Sequence, residues 1–530
     1  MNYDENINSG LSYVSKKKYL IAKKIFKESI SINNQRYEAY LNLSNILVIE
    51  KNFNGAENIL KEFSNSYGYN KQIVTALAIL YYNIKDYKNL EKIIEENINI
   101  EVNENLYFCK SCLCENEKDT VNQIFYLEES IKANSRFWPS HEKIFNVYEK
   151  TNKIKEFEGL IIKSENFFKN NKLFFYYKSL CLFRKGQNKK ALKEILVNEL
   201  ETYFKKNTNL NYLMNLYDLF SKIYLKLNYY KKSISYAIKR NTTTLQLEQN
   251  KKFDKTILLD IMKKYKVFYQ KNKLNHKSSN ENYDNHDNLV FLVGFPRSGT
   301  TLLDSILRSH SQTLVLEEKP FLLNIRHKFF NKNSLDKILS IDAGTKLNLQ
   351  KEYFDSFNYS KKKIIIDKFP LNIIELAFIK TIFPNSKLIL ALRHPLDCIL
   401  SCVLTSFKIN EAMANYENLE TTTFFYNEVF SLFEIYKSSL NLNYYSIKYE
   451  NVVKNFDYEI KNLLSYLGLK FEDSVRYYYH TAKKRNLIHT PSYHQVVNPI
   501  YTNSLNRYKK FEDIKNIEPM VKKWIKEFNY

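Results

Sequence analysis

The strongest constraint on the fold is a 34-residue period near the start of the chain. Tyr19, Phe53 and Tyr87 are spaced by that step, Ala22, Ala56 and Leu90 keep it, and so do Phe26, Leu60 and Ile94. Each unit reads aromatic, then small or apolar three residues on, then large and apolar seven on. Side chains at that spacing share one face of an α-helix. A fixed period of this length means a supersecondary unit stacked on copies of itself. In the second unit, Glu38–Glu50 and Lys51–Ser64 predict helix, turn, helix, with Lys51-Asn52 as the turn. Further on, Ala191 and Ser233 occupy the small-residue place at less regular spacing. The pattern predicts about six helix pairs over residues 5–270.

These repeats resemble the tetratricopeptide repeat (TPR), with most of its Trp, Gly and Pro anchors missing. The resemblance implies an all-α, TPR-like solenoid over residues 1–270 whose surface takes a protein or peptide. A plain helical bundle is the competing reading. Residues 271–287 are polar and nearly free of large apolar groups. They read as a linker before a second domain over 288–530.

Charge narrows the function classes. The 530 residues carry 80 Lys+Arg against 57 Asp+Glu, a formal charge of +23. Residues 281–530 hold 33 and 27 of these, a net of +6, so the excess, +17, is N-terminal. The chain has only 9 Gly, 9 Pro and 2 Trp beside 42 Tyr and 36 Phe. Residues with A/T-rich codons dominate, so part of the lysine excess reflects codon bias. The sequence holds no recognised nucleic-acid module and no interleaved basic–aromatic stripe, and no nucleic-acid partner is expected.

Six cysteines in so long a chain do not make a disulfide scaffold. Cys109, Cys112 and Cys114 lack a fourth ligand at zinc-like spacing and read as small buried hydrophobes, as do Cys398 and Cys402. The polar start MNYDENINSG lacks the features of a signal peptide, and no run approaches the ~18 apolar residues of a membrane span. The expectation is a cytoplasmic protein.

The chemistry lies in the C-terminal half. Leu289–Phe295, LVFLVGF, reads as a buried parallel strand. The loop Pro296-Arg297-Ser298-Gly299-Thr300-Thr301 follows, and then a helix with Leu302, Leu303, Ile306 and Leu307 on one face. Loop amides at a helix N-terminus bind phosphate-like anions. Gly294 and Gly299 fit the start of a nucleotide-binding P-loop, but Thr300 stands where that motif requires Lys. Positive charge comes instead from Arg297. Further strands are expected at Ile364–Ile366, over Lys387–Arg393 and at Tyr444–Tyr449. An amphipathic helix is expected over Asn451–Leu467, closed by Gly468.

FLVGFPRSGTTLL resembles the 5′-phosphosulfate loop of sulfotransferases that use 3′-phosphoadenosine 5′-phosphosulfate (PAPS). Three further segments carry the likeness over residues 288–530: KLILALRHPLDCILSCVLTSF, KKKIIIDKFPLNIIELAFIKTIF and TPSYHQVVNPIYTNSLNRY. Together they resemble the branch containing tyrosylprotein sulfotransferases and TPR-fused bacterial enzymes. The resemblance implies an α/β, P-loop-like domain with a parallel sheet and PAPS as cofactor, leaving 3′,5′-adenosine bisphosphate. It implies cofactor binding by Pro296, Arg297, Ser298, Gly299, Thr300 and Thr301. Arg393 and Ser401 are expected at the 3′-phosphate, with Arg507 and Tyr508 bordering the nucleotide. No metal is implied.

The resemblance also implies catalytic roles. In LVLEEKP it assigns the base to one Glu of the pair Glu317-Glu318, and motif alignment favours Glu318. Lys319-Pro320 replaces the branch's Thr-Arg, which puts that Arg's peptide contacts in doubt. Arg297, Lys368 and Ser492 are expected to stabilise the sulfuryl oxygens and the leaving phosphate, electrostatically and in line. The acceptor is a hydroxyl on protein tyrosine, a glycan or a small molecule. Two other classes compete: a TPR interaction scaffold carrying an inactive transferase fold, and a nucleoside-triphosphate-binding P-loop protein. The missing Lys argues against the latter.

Overall fold

The computed structural model describes residues 2–97, 99–272, 288–357, 363–483, 497–500 and 504–530. The expected linker lies almost wholly outside them, as do Ser492 and the core of its motif.

The chain forms two compact units, residues 1–200 and 201–530. The first is entirely helical among its described residues. Its helices pair in sequence: Tyr3–Ser15 with Tyr19–Ile32, Glu38–Ile49 with Phe53–Tyr67, and Lys71–Ile84 with Tyr87–Glu95. Glu104–Glu117 with Thr120–Ala133, Trp138–Lys150 with Ile154–Ser164, and Lys172–Arg184 with Asn188–Val197 follow. The period of aromatics marks helix starts, since Tyr19, Phe53 and Tyr87 are each a first residue. Ala22, Ala56, Leu90, Phe26 and Leu60 are fully buried, so the period encodes the packed face.

Helix boundaries have local causes. Side chains of Asn52, Asn70, Asp86, Asn103 and Asp119 accept from amides of the following first turn. They satisfy donors that have no intrahelical partner. The turns inside successive units pass through Lys17, Lys51, Lys85 and Lys118, all left-handed, with φ of 56°, 61°, 60° and 64°.

The second unit begins with more helices of the same kind. Leu210–Lys226 pairs with Tyr230–Gln246, and Thr256–Lys271 follows. That makes seven pairs up to residue 246, against the expected six.

A five-stranded parallel sheet organises the rest: β1 (Leu289–Gly294), β2 (Thr313–Glu317), β3 (Ile364–Lys368), β4 (Lys387–Leu392) and β5 (Tyr445–Lys448), in the order β2-β3-β1-β4-β5. The order reverses direction at β1, and such a switch point opens a crevice at the C-terminal strand ends. β1 alternates between two cores. Phe291 and Val293 pack with the helix Leu419–Ser439 and with Met262, Tyr265 and Tyr269. Val290 and Leu292 pack with Ile306, Ile389 and Leu463. The helix expected over Asn451–Leu467 is two helices, Tyr449–Lys454 and Phe456–Leu467, because Asn455 (φ −133°, ψ 54°) leaves helical geometry between them. Gly468 closes the second in the left-handed conformation, as expected.

Candidate active site

β1 delivers its loop to the switch point. Gly294 abuts β4: a Cβ there, at φ 158°, would sit 2.5 Å from the Ala391 carbonyl oxygen. Gly299 (φ 99°) precedes the helix Thr300–Arg308, and a Cβ on it would lie 2.8 Å from the Tyr449 ring. The loop therefore runs tightly between β4 and Tyr449. Arg297 sits between the two glycines in the left-handed region, φ 72°. Its Nε donates to Ser401 Oγ at 3.0 Å.

Ser401 lies on the helix Pro395–Leu404, which starts just after β4. Arg393, at the same strand end, donates to the Arg297 carbonyl (3.2 Å) and the Ser504 carbonyl (2.7 Å). Its guanidinium lies 4.9 Å from the centre of the Tyr449 ring. Among the buried side-chain atoms here without a hydrogen-bond partner are Ser298 Oγ and Arg393 Nε, beside His394 Nδ1 and Asp397 Oδ2. Ser298 Oγ and Arg393 Nε can donate, and buried donors without partners are rare. An anion with phosphate-like oxygens fits this cradle.

Parallel pairing builds the other side. β2 pairs with β3 so that Glu317 is opposite Lys368. The Glu318 amide then donates to the Lys368 carbonyl at 2.8 Å. Lys368 is fully buried, and its Nζ lies 2.7 Å from Glu318, 3.7 Å from Glu317 and 3.9 Å from Asp304. Asp304 is itself buried and paired with Arg308 at 2.8 Å. The two glutamates differ in access: the Glu317 side chain is 5 % exposed and that of Glu318 is 35 %. Glu318 has φ 48°. A non-glycine residue there costs about 1–3 kcal/mol and persists where surroundings enforce it.

Glu318 opens onto a cavity of about 720 Å³ that is also lined by Pro296, Arg297, Thr300 and Thr301. The structure thus gathers Arg297, Ser298, Glu318, Lys368, Arg393 and Ser401 around one sheet edge. Tyr508 joins them: its amide donates to Asp397 at 2.8 Å and its ring stacks on His394 at 4.3 Å. Burial, with Lys509 and Arg393 nearby, pushes the His394 imidazole down to about 4. Arg507 stands over the Phe511 ring, 6.0 Å from its centre. Ser492 lies outside the described residues.

Residues 289–473 match the family model described as the sulfotransferase family. The C-terminal half carries a sulfotransferase-family domain. That membership supports sulfuryl transfer as its chemistry. The chain is similar to an uncharacterized protein of Aquifex aeolicus (strain VF5), 28% identical over 244 residues, 44% of this chain and 31% of that one. It thus spans under a third of that relative's length. It is also similar to protein-tyrosine sulfotransferase A of Caenorhabditis elegans, 21% identical over 46% of this chain and 69% of the other.

Solved structures were matched as well. The sulfotransferase domain of the Synechococcus PCC 7002 olefin synthase is 16% identical, over 46% of this chain and 94% of that one, at TM-score 0.33. A tetratricopeptide repeat protein from Parabacteroides merdae ATCC 43184 is 15% identical, over 46% and 93%, at TM-score 0.32.

Several residues of the sulfotransferase domain escaped the sequence reading. Strand β2 was not expected, although TLVLE has the apolar, β-branched content of a short strand. Asp304 and Arg308 are four apart on a helix, a legible pair, but the third partner Lys368 is distant in sequence. Glu450 accepts from the His394 amide at 2.9 Å and from the Tyr530 hydroxyl at 2.9 Å, with no local signal. Cys109, Cys112, Cys114, Cys398 and Cys402 are buried as expected, and so is Cys181. Among the described residues, no helix is long and apolar enough to cross a membrane.

Proposed function

We propose that the chain transfers a sulfuryl group from PAPS to an acceptor hydroxyl, with Glu318 as general base. The observation that carries the proposal is the Glu318–Lys368 pair at the rim of a cavity shared with the Arg297 loop. An acceptor in that cavity reaches Glu318, whereas Glu317 is buried.

The orphaned Ser298 Oγ and Arg393 Nε, with the amides of residues 298–301, suit the phosphate oxygens of the donor. Arg297, Ser401 and Arg393 would hold its phosphates, with Tyr508 and Arg507 beside the nucleotide. When bound, the phosphosulfate supplies the sulfuryl group: a bond from the acceptor oxygen to sulfur forms as the sulfur–phosphate oxygen bond breaks, and its electron pair leaves on the phosphate. Glu318 accepts the proton of the acceptor hydroxyl. Lys368 orients that carboxylate and presents fixed positive charge beside the transfer path, and Arg297 presents it from the loop. Ser492 is proposed to add a hydroxyl donor to the same oxygens.

The helical first unit is proposed to bind a protein or peptide, and the whole chain to work in the cytoplasm. The decisive measurement is a thermal-shift comparison of 3′,5′-adenosine bisphosphate with ATP, paired with a labelled-donor assay. At 100 times Kd the bisphosphate should stabilise by about 2.7 kcal/mol. Equal or greater stabilisation by ATP would overturn the proposal in favour of a triphosphate-binding protein.

A further inference from the structure

The cavity beside Glu318 carries information about the acceptor, and its chemistry differs from that of the loop at its base. Its volume, about 720 Å³, lies in the ~300–1,000 Å³ range of small-molecule sites. Away from the loop its wall is mainly apolar, with Leu258, Ile261, Leu323, Phe369, Ile374 and Met413 among the lining residues. Ile257, Leu258 and Ile261 come from the helix Thr256–Lys271, upstream of the family-matched residues 289–473. One wall therefore comes from outside the family-matched residues.

Two charged residues deep in the wall, Arg326 and Glu375, are paired with each other. Arg326 Nε lies 3.1 Å from Glu375 Oε1, and Arg326 also donates to the Tyr265 hydroxyl at 2.9 Å. That hydroxyl donates to Glu375 at 3.1 Å. Lys408 and Glu411 also line the cavity, one of each sign. An acidic peptide or a polyanionic glycan calls for several unmatched cations, and the arginine of this wall is held by Glu375. A neutral sugar calls for many polar partners, and the apolar side chains supply none. One polar group does stand ready: Asn372 lines the cavity, is 2 % exposed, and its Nδ2 has no hydrogen-bond partner. A buried amide donor without a partner is costly unless a ligand completes it.

We infer that the acceptor is a small, largely apolar phenol or alcohol with one further hydrogen-bond-accepting oxygen. The helix Thr256–Lys271 forms the wall that selects it, and Asn372 donates to that oxygen. The inference rests on the transferase reading above. The step balances as before: the acceptor oxygen bonds to sulfur, its proton goes to Glu318, and the leaving electron pair stays on the donor phosphate.

The test uses the full chain with labelled donor and four probes: 4-hydroxypropiophenone, 4-propylphenol, an acidic tyrosine-containing peptide and an unsulfated polysaccharide. Binding of 3′,5′-adenosine bisphosphate is measured in parallel by calorimetry. Both phenols should be sulfated, the ketone with a KM five- to tenfold lower. Asn372→Leu should abolish that difference. Ile261→Asp should raise the KM for both phenols at least tenfold with the nucleotide Kd unchanged. Ile257→Asp, at a position already 44% exposed, should raise it about threefold in a protein whose folding is not at issue. Nucleotide binding with transfer only to peptide or polysaccharide, or to no probe, overturns the inference, as does a KM indifferent to both isoleucine variants. Failure to bind the nucleotide at all overturns the transferase reading beneath it.

Discussion

Lys368 and Glu318 are joined twice: the Lys368 ammonium lies 2.7 Å from the Glu318 carboxylate, and the Lys368 carbonyl accepts the Glu318 amide at 2.8 Å. The second bond extends the β2–β3 pairing by one residue past the strand. It holds Glu318 in its left-handed conformation, so the side chain meets both Lys368 and the cavity. Loss of the base and loss of its partner should differ. Glu318→Gln keeps the shape and leaves Lys368 with Glu317 and Asp304. Transfer should fall by about 10²–10⁴, with nucleotide affinity and melting temperature near the parent's. Lys368→Ala removes the buried cation that Glu317, Glu318 and Asp304 share, leaving Asp304 with Arg308. It should lose about 3–5 kcal/mol of stability as well as activity. Single-turnover kinetics with urea unfolding separates the two. Parent-like turnover in Glu318→Gln would remove it as the base.

The loop makes a steric prediction. A Cβ at Gly294 meets the backbone carbonyl of Ala391 at 2.5 Å, and a strand cannot retreat as a side-chain tip can. Gly186 also has positive φ, 76°, but open space around it. Gly294→Ala should therefore cost several kcal/mol and weaken nucleotide binding at least tenfold. Gly186→Ala should cost about 1 kcal/mol from its backbone conformation alone. Melting temperatures and calorimetric Kd values for the pair check this.

Asp367 precedes Lys368 on β3 but points to the opposite face. It is buried, accepts from the Tyr353 hydroxyl at 2.6 Å, and burial pushes its carboxyl up to about 7. The folded state thus holds this proton more tightly than the unfolded chain, whose carboxyl titrates near 3.8. Its contribution is fully present below pH ~4 and is lost as pH rises through ~7. Asp367→Asn removes the titration and keeps an oxygen to accept from Tyr353. The stability difference between variant and parent should shift toward the variant from pH 4 to 7, by up to about 1.4 kcal/mol per pH unit. Above pH 8 it should level off. A pH-independent difference in urea midpoints, at constant m, would contradict this.

What sequence reading reached and what it missed follow from range. The 34-residue period and the strand–loop–helix at Leu289 are local patterns, and they placed Tyr19, Phe53, Tyr87 and the Arg297 loop correctly. The turn at Lys51-Asn52 was read, but lysine at the left-handed positions 17, 85 and 118 was less legible, because glycine or asparagine is the usual signal there. Strand β2 was hidden because it is only five residues long and ends on a charged residue, Glu317. The Arg297–Ser401 bond, 104 positions apart, was not foreseen, since the sequence paired Ser401 with Arg393. A charged residue on a repeat helix reads as solvated, and so the role of Arg240 could not be seen.

Arg240 lies on the helix Tyr230–Gln246 and is 1 % exposed. Its guanidinium donates to Asp218 at 2.8 Å and to the carbonyls of Val403 (2.7 Å), Leu404 (3.2 Å) and Thr405 (3.0 Å). Those carbonyls close the helix that carries Ser401, where a cation is favoured by both geometry and dipole. Asn241 adds a bond to the Val403 carbonyl at 3.1 Å. These later helices thus cap the helix that carries Ser401. Arg240→Lys loses the planar fork and should fold with several-fold weaker binding of 3′,5′-adenosine bisphosphate, while Arg240→Ala should lose about 3–5 kcal/mol. The same contacts predict where the chain can be cut. A fragment of residues 201–530 should unfold cooperatively and bind the nucleotide with near-parent affinity. A fragment of 288–530 leaves the Val403–Thr405 carbonyls and the face that meets Met262, Tyr265 and Tyr269 uncovered, and should aggregate or fail to bind. Urea unfolding and calorimetry of the two fragments decide it, and a well-folded, nucleotide-binding 288–530 fragment would show that the Arg240 cap is dispensable.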